Sequence, residues 1–153
     1  MLKHEVLECV MDLGKERIDE IRRSITDKRK DIISFQAGGD SLDNAKKVEY
    51  TTSLNNLNKS LLEHQNVLCR LKSVKLLDTD IISFGSLFTI KNMESGISRI
   101  YFITCVGGKN VIVDEETVST MSLGAPFAQS LIDKKENDEI SFREMTFKIL
   151  SVQ

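Results

Sequence analysis

Apolar positions in the first half of the chain recur at helical intervals. The stripe runs Val6, Val10, Leu13, Ile18, Ile21, Ile25 and Ile32, with no proline and one glycine, Gly14, in its path. Spacing of this kind places the apolar side chains on one face of an α-helix. The register is imperfect, because Arg17 and Lys28 stand where a strict seam wants leucine. Gly14 weakens the helix by up to ~1 kcal/mol relative to alanine. A second segment is cleaner: Tyr50, Leu54, Leu57, Leu61, His64, Leu68 and Leu71 alternate in steps of four and three, an a/d seam. His64 is read as a structural seam residue, since no second His or Cys lies one turn away to share a metal. His4 has no such setting and is assigned to the surface.

Between the two stripes lies "QAGGDSLDNAKK", Gln36 to Lys47. Gly38 and Gly39 supply the positive backbone dihedrals that end a helix. Two helices of similar length joined by a glycine turn fold back and bury both stripes against each other. The expected element is an antiparallel coiled-coil hairpin over residues 1–76, a rod of roughly 45–50 Å at 1.5 Å per residue. Because the hairpin buries its own seam, a monomer is expected.

After Ser73 the pattern changes. "SVKLLDTD" reads as a joint, and three strand candidates follow: "SLFTIKN", "SRIYFITCV" and "NVIVD", separated by the turn signals "NMESG" and "GGKN". "APFAQSLIDKK" opens at Pro126, the only proline, which suits a first helical position. "DEISF" and "MTFKILSV" supply two more strands. The order β-β-β-α-β-β with short connections predicts an antiparallel sheet wrapped around one helix, over residues 77–153. The fold class is therefore α+β. Phe84, Phe88, Tyr101, Phe102, Phe127, Phe142 and Phe147 are assigned to its core, a prolyl-isomerase-like pocket being the other reading, which the absence of Trp disfavours.

Composition narrows the partners. A net charge of −2 over 153 residues excludes bulk attraction to nucleic acid, which needs a strongly positive face. No apolar run reaches the length of a membrane span, and charges interrupt every apolar stretch of the N-terminus, so neither a membrane nor a signal peptide is expected. Cys9, Cys69 and Cys105 share no metal-binding spacing and read as reduced thiols of a cytoplasmic protein.

The candidate chemistry is Asp40 and Asp43. By themselves these acids fit an N-cap and an N3 position, where carboxylates satisfy free N–H groups and the helix dipole. Their place at the end of an overlong rod fits a second role, oxygen donation to a hard cation. The two roles are compatible, since a capping carboxylate keeps lone pairs. Basic residues flank the acids: Arg22, Arg23, Lys28, Arg29 and Lys30 before, Lys46, Lys47 and Lys59 after. Such runs on a helix usually form a solvated face.

Two stretches resemble the Gre family of bacterial transcript-cleavage factors. "APFAQSLIDKKENDEISF" is similar to the family's Ser-Pro-hydrophobic-Ala signature with its Gly-Lys-Lys and Gly-Asp, and "GDSLDNA" is similar to its Gly-Asp-Leu-x-Glu-Asn-Ala tip. The resemblance implies a coiled coil followed by an FKBP-like domain that docks on RNA polymerase. It implies that the coiled coil enters the polymerase's secondary channel and stimulates cleavage of backtracked RNA, without being an enzyme itself. Asp40 then ligates the second Mg²⁺ of the polymerase site, shared and not held by the isolated protein. Asp43 binds that ion through water or positions the nucleophile. Lys28, Arg29, Lys30, Lys46 and Lys47 become a basic patch for the 3′ end of the nascent RNA.

The chain departs from the family in places. Asp43 stands where the family has glutamate, one methylene (about 1.5 Å) nearer the backbone. Asp133 and Asn137 replace two glycines, and both types tolerate left-handed backbone, so the turn is expected to survive. Three readings stay open at this level: a cleavage-stimulating factor, a channel regulator that does not stimulate cleavage, and a coiled-coil interaction module.

Overall fold

The computed structural model describes residues 2–36 and 43–153, the side chains of Phe35, Gln36, Asp43 and Asn44 excepted. Two long helices, α1 (Lys3–Gln36) and α2 (Asp43–Lys72), form the N-terminal hairpin. A mixed six-stranded sheet with one short helix follows. Its strands are β1 (Leu87–Asn92), β2 (Ser98–Thr104), β3 (Asn110–Val113), β4 (Glu116–Ser122), β5 (Glu139–Phe142) and β6 (Met145–Val152), with α3 (Pro126–Leu131) between β4 and β5. The glycine pair Gly38–Gly39 and the acid Asp40 lie outside the described residues.

The chain divides into two compact units, Leu13–Cys69 and the combination of Met1–Asp12 with Arg70–Gln153. The division does not fall at the joint read from the sequence: the first turns of α1 and the last residues of α2 group with the sheet.

Within Leu13–Cys69 the helices run antiparallel. Gly14 faces Leu68, while Lys28, fourteen positions on, faces Tyr50. Ile18, Ile21 and Ile25 are buried, and every α2 seam position from Tyr50 to Leu68 is half-buried, as the spacing predicts. One expected seam residue is displaced. Leu13 is 40% exposed, and its neighbour Gly14 takes the inward position. Steps of four from Val10 to Gly14 to Ile18 keep the helical phase, whereas the step of five from Leu13 to Ile18 breaks it.

The sheet order is β3-β4-β2-β1-β6-β5. The expected sheet was wholly antiparallel with three strands before the helix; the structure corrects both points. A fourth strand, β4, precedes α3, and it pairs in parallel with β2 (Ile100 with Val118, Phe102 with Thr120). The cause is local. β3 and β4 form a tight hairpin in which Asp114 and Glu115 adopt φ of 52° and 66°. This hairpin returns β4 into the gap beside β2, in the same direction as β2. All other pairings are antiparallel.

The core of the sheet unit includes Ile82, Phe88, Ile90, Ile103, Ile140 and Ile149, closed by Ala128 and Leu131 of α3. Pro126 stands at the start of α3 behind an extended Ala125, as a residue before proline prefers. The helix is shorter than its sequence signal, because the segment after Leu131 is drawn into pairing with Ile82. Asp133 N donates to Ile82 O at 3.0 Å, and Ile82 N donates to Lys134 O at 2.7 Å. Asp133 and Asn137 hold φ of 63° and 71°, so both substitutions for glycine keep the left-handed turn. At the start of this unit Lys3 is only 8% exposed; its ammonium donates to Leu77 O at 2.8 Å and pairs with Asp78 at 3.0 Å.

Candidate functional site

The acidic motif and its basic flanks meet the structure unevenly. Asp43 is the first residue of α2; the N-cap and N3 places read for the two acids depend on Asp40, outside the described residues. Roughly 40 Å of helix, at 1.5 Å per residue, separates Asp43 from Cys69 at the other end of the same unit. Asp40 lies outside the described residues, so the separation of the two carboxylates is not defined.

The basic residues divide by environment. Lys28 is half-buried, its Nζ 4.2 Å from the centroid of the Tyr50 ring, so this cation is engaged in the seam. Arg29, Lys46 and Lys47 are exposed, and Lys30 is exposed with Asp27 at 3.6 Å. An exposed pair of that length is screened and weak, which leaves Lys30 available to a phosphate. Upstream, Arg22 pairs with Asp19 at 3.2 Å.

His64 behaves as the sequence suggests. Its Nδ1 lies 2.8 Å from the carbonyl oxygen of Ser60, one turn back, so the Nδ1–H tautomer donates to that oxygen within the seam. Among the described residues no group of three or more His, Cys, Asp or Glu side chains comes together to hold a metal. Cys9, Cys69 and Cys105 are in no disulfide among the described residues.

A second concave feature lies on the sheet unit, a pocket of about 360 Å³. Tyr101, Phe127, Phe142 and Phe147 line it, with Arg99 and Arg143 also in its wall. Phe127 is the hub of the aromatic cluster, with ring centroids 4.9 Å from Phe142, 5.0 Å from Phe147 and 6.3 Å from Tyr101. Of the aromatic residues assigned to the core, Phe88 and Phe102 are fully buried, whereas these four are half-buried and Phe84 is exposed. The sequence offers a pocket at these aromatics only as the weaker reading beside core packing. The pocket's one local signal is the Arg143–Glu144 pair between two strand candidates, a charged hairpin turn.

Residues 77–153 match the family model of the GreA/GreB C-terminal domain of transcription elongation factors. The chain belongs to the GreA/GreB family. No curated protein matches its sequence. Among solved structures, the Gre-family chain is similar to the transcription factor Gfh1, with 12% identity over 95% of this chain and 94% of that one, and a TM-score of 0.40. The GreA factor homolog 1 of Thermus thermophilus shares 13% identity over 94% of each chain, with a TM-score of 0.39. A GreA/GreB factor from Nitrosomonas europaea shares 17% identity over 59% of this chain and 78% of that one, with a TM-score of 0.34. The Gre-family assignment rests on the sequence match of the C-terminal half, and it makes the chain a transcription elongation factor.

Proposed function

We propose that this Gre-family factor binds RNA polymerase, inserts its helical hairpin into the secondary channel, and stimulates the polymerase's cleavage of backtracked RNA. The observation that carries the reading is the position of Asp43, at the first residue of a thirty-residue helix, in a chain whose other half matches the family. A hairpin of this length is a means of reach, and the Gly-Asp-x-x-Asp motif between its helices in the sequence offers oxygen donors to what it reaches.

The chemistry of the donor set fits Mg²⁺ as a shared ligand. Mg²⁺ prefers six oxygen ligands in octahedral geometry, and two carboxylates cover only part of that shell. The remaining ligands come from the polymerase and water. When bound, such an ion lowers the pKa of water and neutralises charge at the phosphodiester. Asp40 is assigned direct coordination. Asp43, shorter by a methylene than the family's glutamate, is assigned a water-mediated contact or the orientation of the attacking water. The factor contributes ligands and holds no complete catalytic site of its own. Arg29, Lys30, Lys46 and Lys47 are assigned to phosphates of the displaced RNA 3′ end, a contact that is independent of sequence and weakens with salt. The seam position of Lys28 gives it a structural share in this region.

The test is transcript cleavage in backtracked elongation complexes with Mg²⁺, comparing the parent with Asp40→Asn and Asp43→Asn. Loss of stimulated cleavage with retained polymerase binding supports the proposal. Binding without stimulation by the parent itself identifies a channel regulator. No binding sinks the reading altogether.

A further inference from the structure

We infer that the aromatic pocket of the sheet unit is a peptide-binding site. It takes an extended segment of a partner protein that inserts one aromatic side chain and carries a carboxylate on either side of it. The inference stands on the pocket alone and does not depend on the polymerase reading.

Three observations carry it. First, the pocket is apolar at its floor and cationic in its wall. Arg99 and Arg143 are its only charged lining residues, in a chain where acids outnumber bases. Neither guanidinium has an ion-pair partner among the described residues. A guanidinium beside an aromatic surface recognises carboxylates bidentately, with the ring below excluding water.

Second, Arg143 is held in place at a backbone cost. With Glu144 it forms the two-residue turn between β5 and β6, at φ of 49° and 66°. Turns of this type favour Asn-Gly, and side chains such as Arg and Glu are strained there. The Arg143 guanidinium nonetheless stacks 5.3 Å from the centroid of the Phe142 ring, inside the pocket wall. Local strain that fixes a charged group beside a cavity points to a ligand.

Third, the spacing of the two arginines sets the ligand's shape. Arg99 sits on β2, opposite Ile90 of β1, whose other neighbour is Ile149 of β6; Arg143 lies in the turn beyond β6, toward β5. Two strand spacings of ~4.8 Å separate β2 from β6, and the four residues from Ile149 to Met145 at the turn add about 13 Å along the strand, together about 16 Å, the length of roughly five extended residues. A single small anion does not bridge that distance with an aromatic group between, whereas an acid-x-aromatic-x-acid peptide does.

The probe is the blocked peptide Gly-Asp-Ser-Phe-Ser-Asp-Gly, added to the full isotopically labelled chain and followed by amide chemical shifts. Saturable shifts are expected at Arg99, Tyr101, Phe127, Phe142, Arg143 and Phe147. Replacing both peptide aspartates by lysine, or its phenylalanine by alanine, removes them. Arg143→Asn suits the left-handed turn and so keeps the fold, yet weakens binding about three- to tenfold, and Arg99→Ser does the same. Equal binding by the lysine peptide, unchanged affinity in both arginine variants, or preference for an uncharged proline peptide overturns the inference.

Discussion

Lys28 and Tyr50 meet across the hairpin seam, the ammonium 4.2 Å from the ring centroid, at the position where the apolar stripe of α1 fails. The charge that breaks the heptad is accommodated by an aromatic partner on α2. This pair is expected to fix the register of the hairpin near its acidic end. A cation over an aromatic ring contributes about 0.5–1 kcal/mol when partly exposed. A double-mutant cycle with Lys28→Met and Tyr50→Leu, read by urea denaturation, should give a coupling of that size. A coupling of zero rejects the role.

Gly14 and Gly85 should respond oppositely to alanine. A Cβ on Gly14 meets only Leu68 Cδ1 at 3.7 Å, an ordinary contact, and the backbone there is helical. Gly14→Ala is expected to raise stability by about 0.5–1 kcal/mol. Gly85 has φ of 88°, and a Cβ there lies 3.2 Å from the Lys75 carbonyl oxygen. Gly85→Ala should lower stability by more than ~1 kcal/mol. Thermal melts of the two variants, followed by circular dichroism, check both signs.

The turn between β5 and β6 offers a stability gain. Glu144 holds φ of 66°, a conformation glycine adopts without strain. Glu144→Gly is expected to stabilise the sheet unit by ~1 kcal/mol, visible as a higher denaturation midpoint with unchanged m-value. A drop in midpoint would show that the Glu144 side chain contributes more than its backbone costs.

At Lys3 the hydrogen bond outweighs the ion pair. The lysine is 8% exposed, whereas Asp78 is 99% exposed, so water screens the charge pair while the bond to Leu77 O is sheltered. Lys3→Met should cost about 1–2 kcal/mol, because it leaves the Leu77 carbonyl without its donor. Asp78→Asn should change stability by less than ~0.5 kcal/mol. Equal losses from the two substitutions would contradict this ranking.

What the sequence disclosed follows from which interactions are local. The α2 seam from Tyr50 to Leu68 was legible because its burial repeats with the period of the helix itself. Leu13 misled because hydropathy is blind to a glycine: Gly14 holds the inward position with no side chain to announce it. β4 was missed because it buries Thr120 beside Val118 and Met121, so its inward face lacks an apolar alternation. Thr120 is at home there because its hydroxyl accepts from Lys109 N at 3.0 Å. The parallel pairing of β2 with β4 is a long-range outcome of one tight turn, which no local pattern encodes. The left-handed turns at Asp133 and Asn137 were legible, since residue type limits backbone conformation directly. The pocket's cationic wall was not, because Arg99 and Arg143 come to line one pocket only through the sheet.

The placement of β6 has a consequence for biosynthesis. This strand pairs with β1 on one side and β5 on the other, so the sheet stays divided until Val152 has emerged from the ribosome. Residues Met1–Asp12 group in one unit with Arg70–Gln153, although they are translated well before that sheet. Val6, Leu7 and Val10 are buried in the finished fold and belong to a unit that is complete only when the sheet closes. The opening turns of the chain are a natural point of call for nascent-chain chaperones.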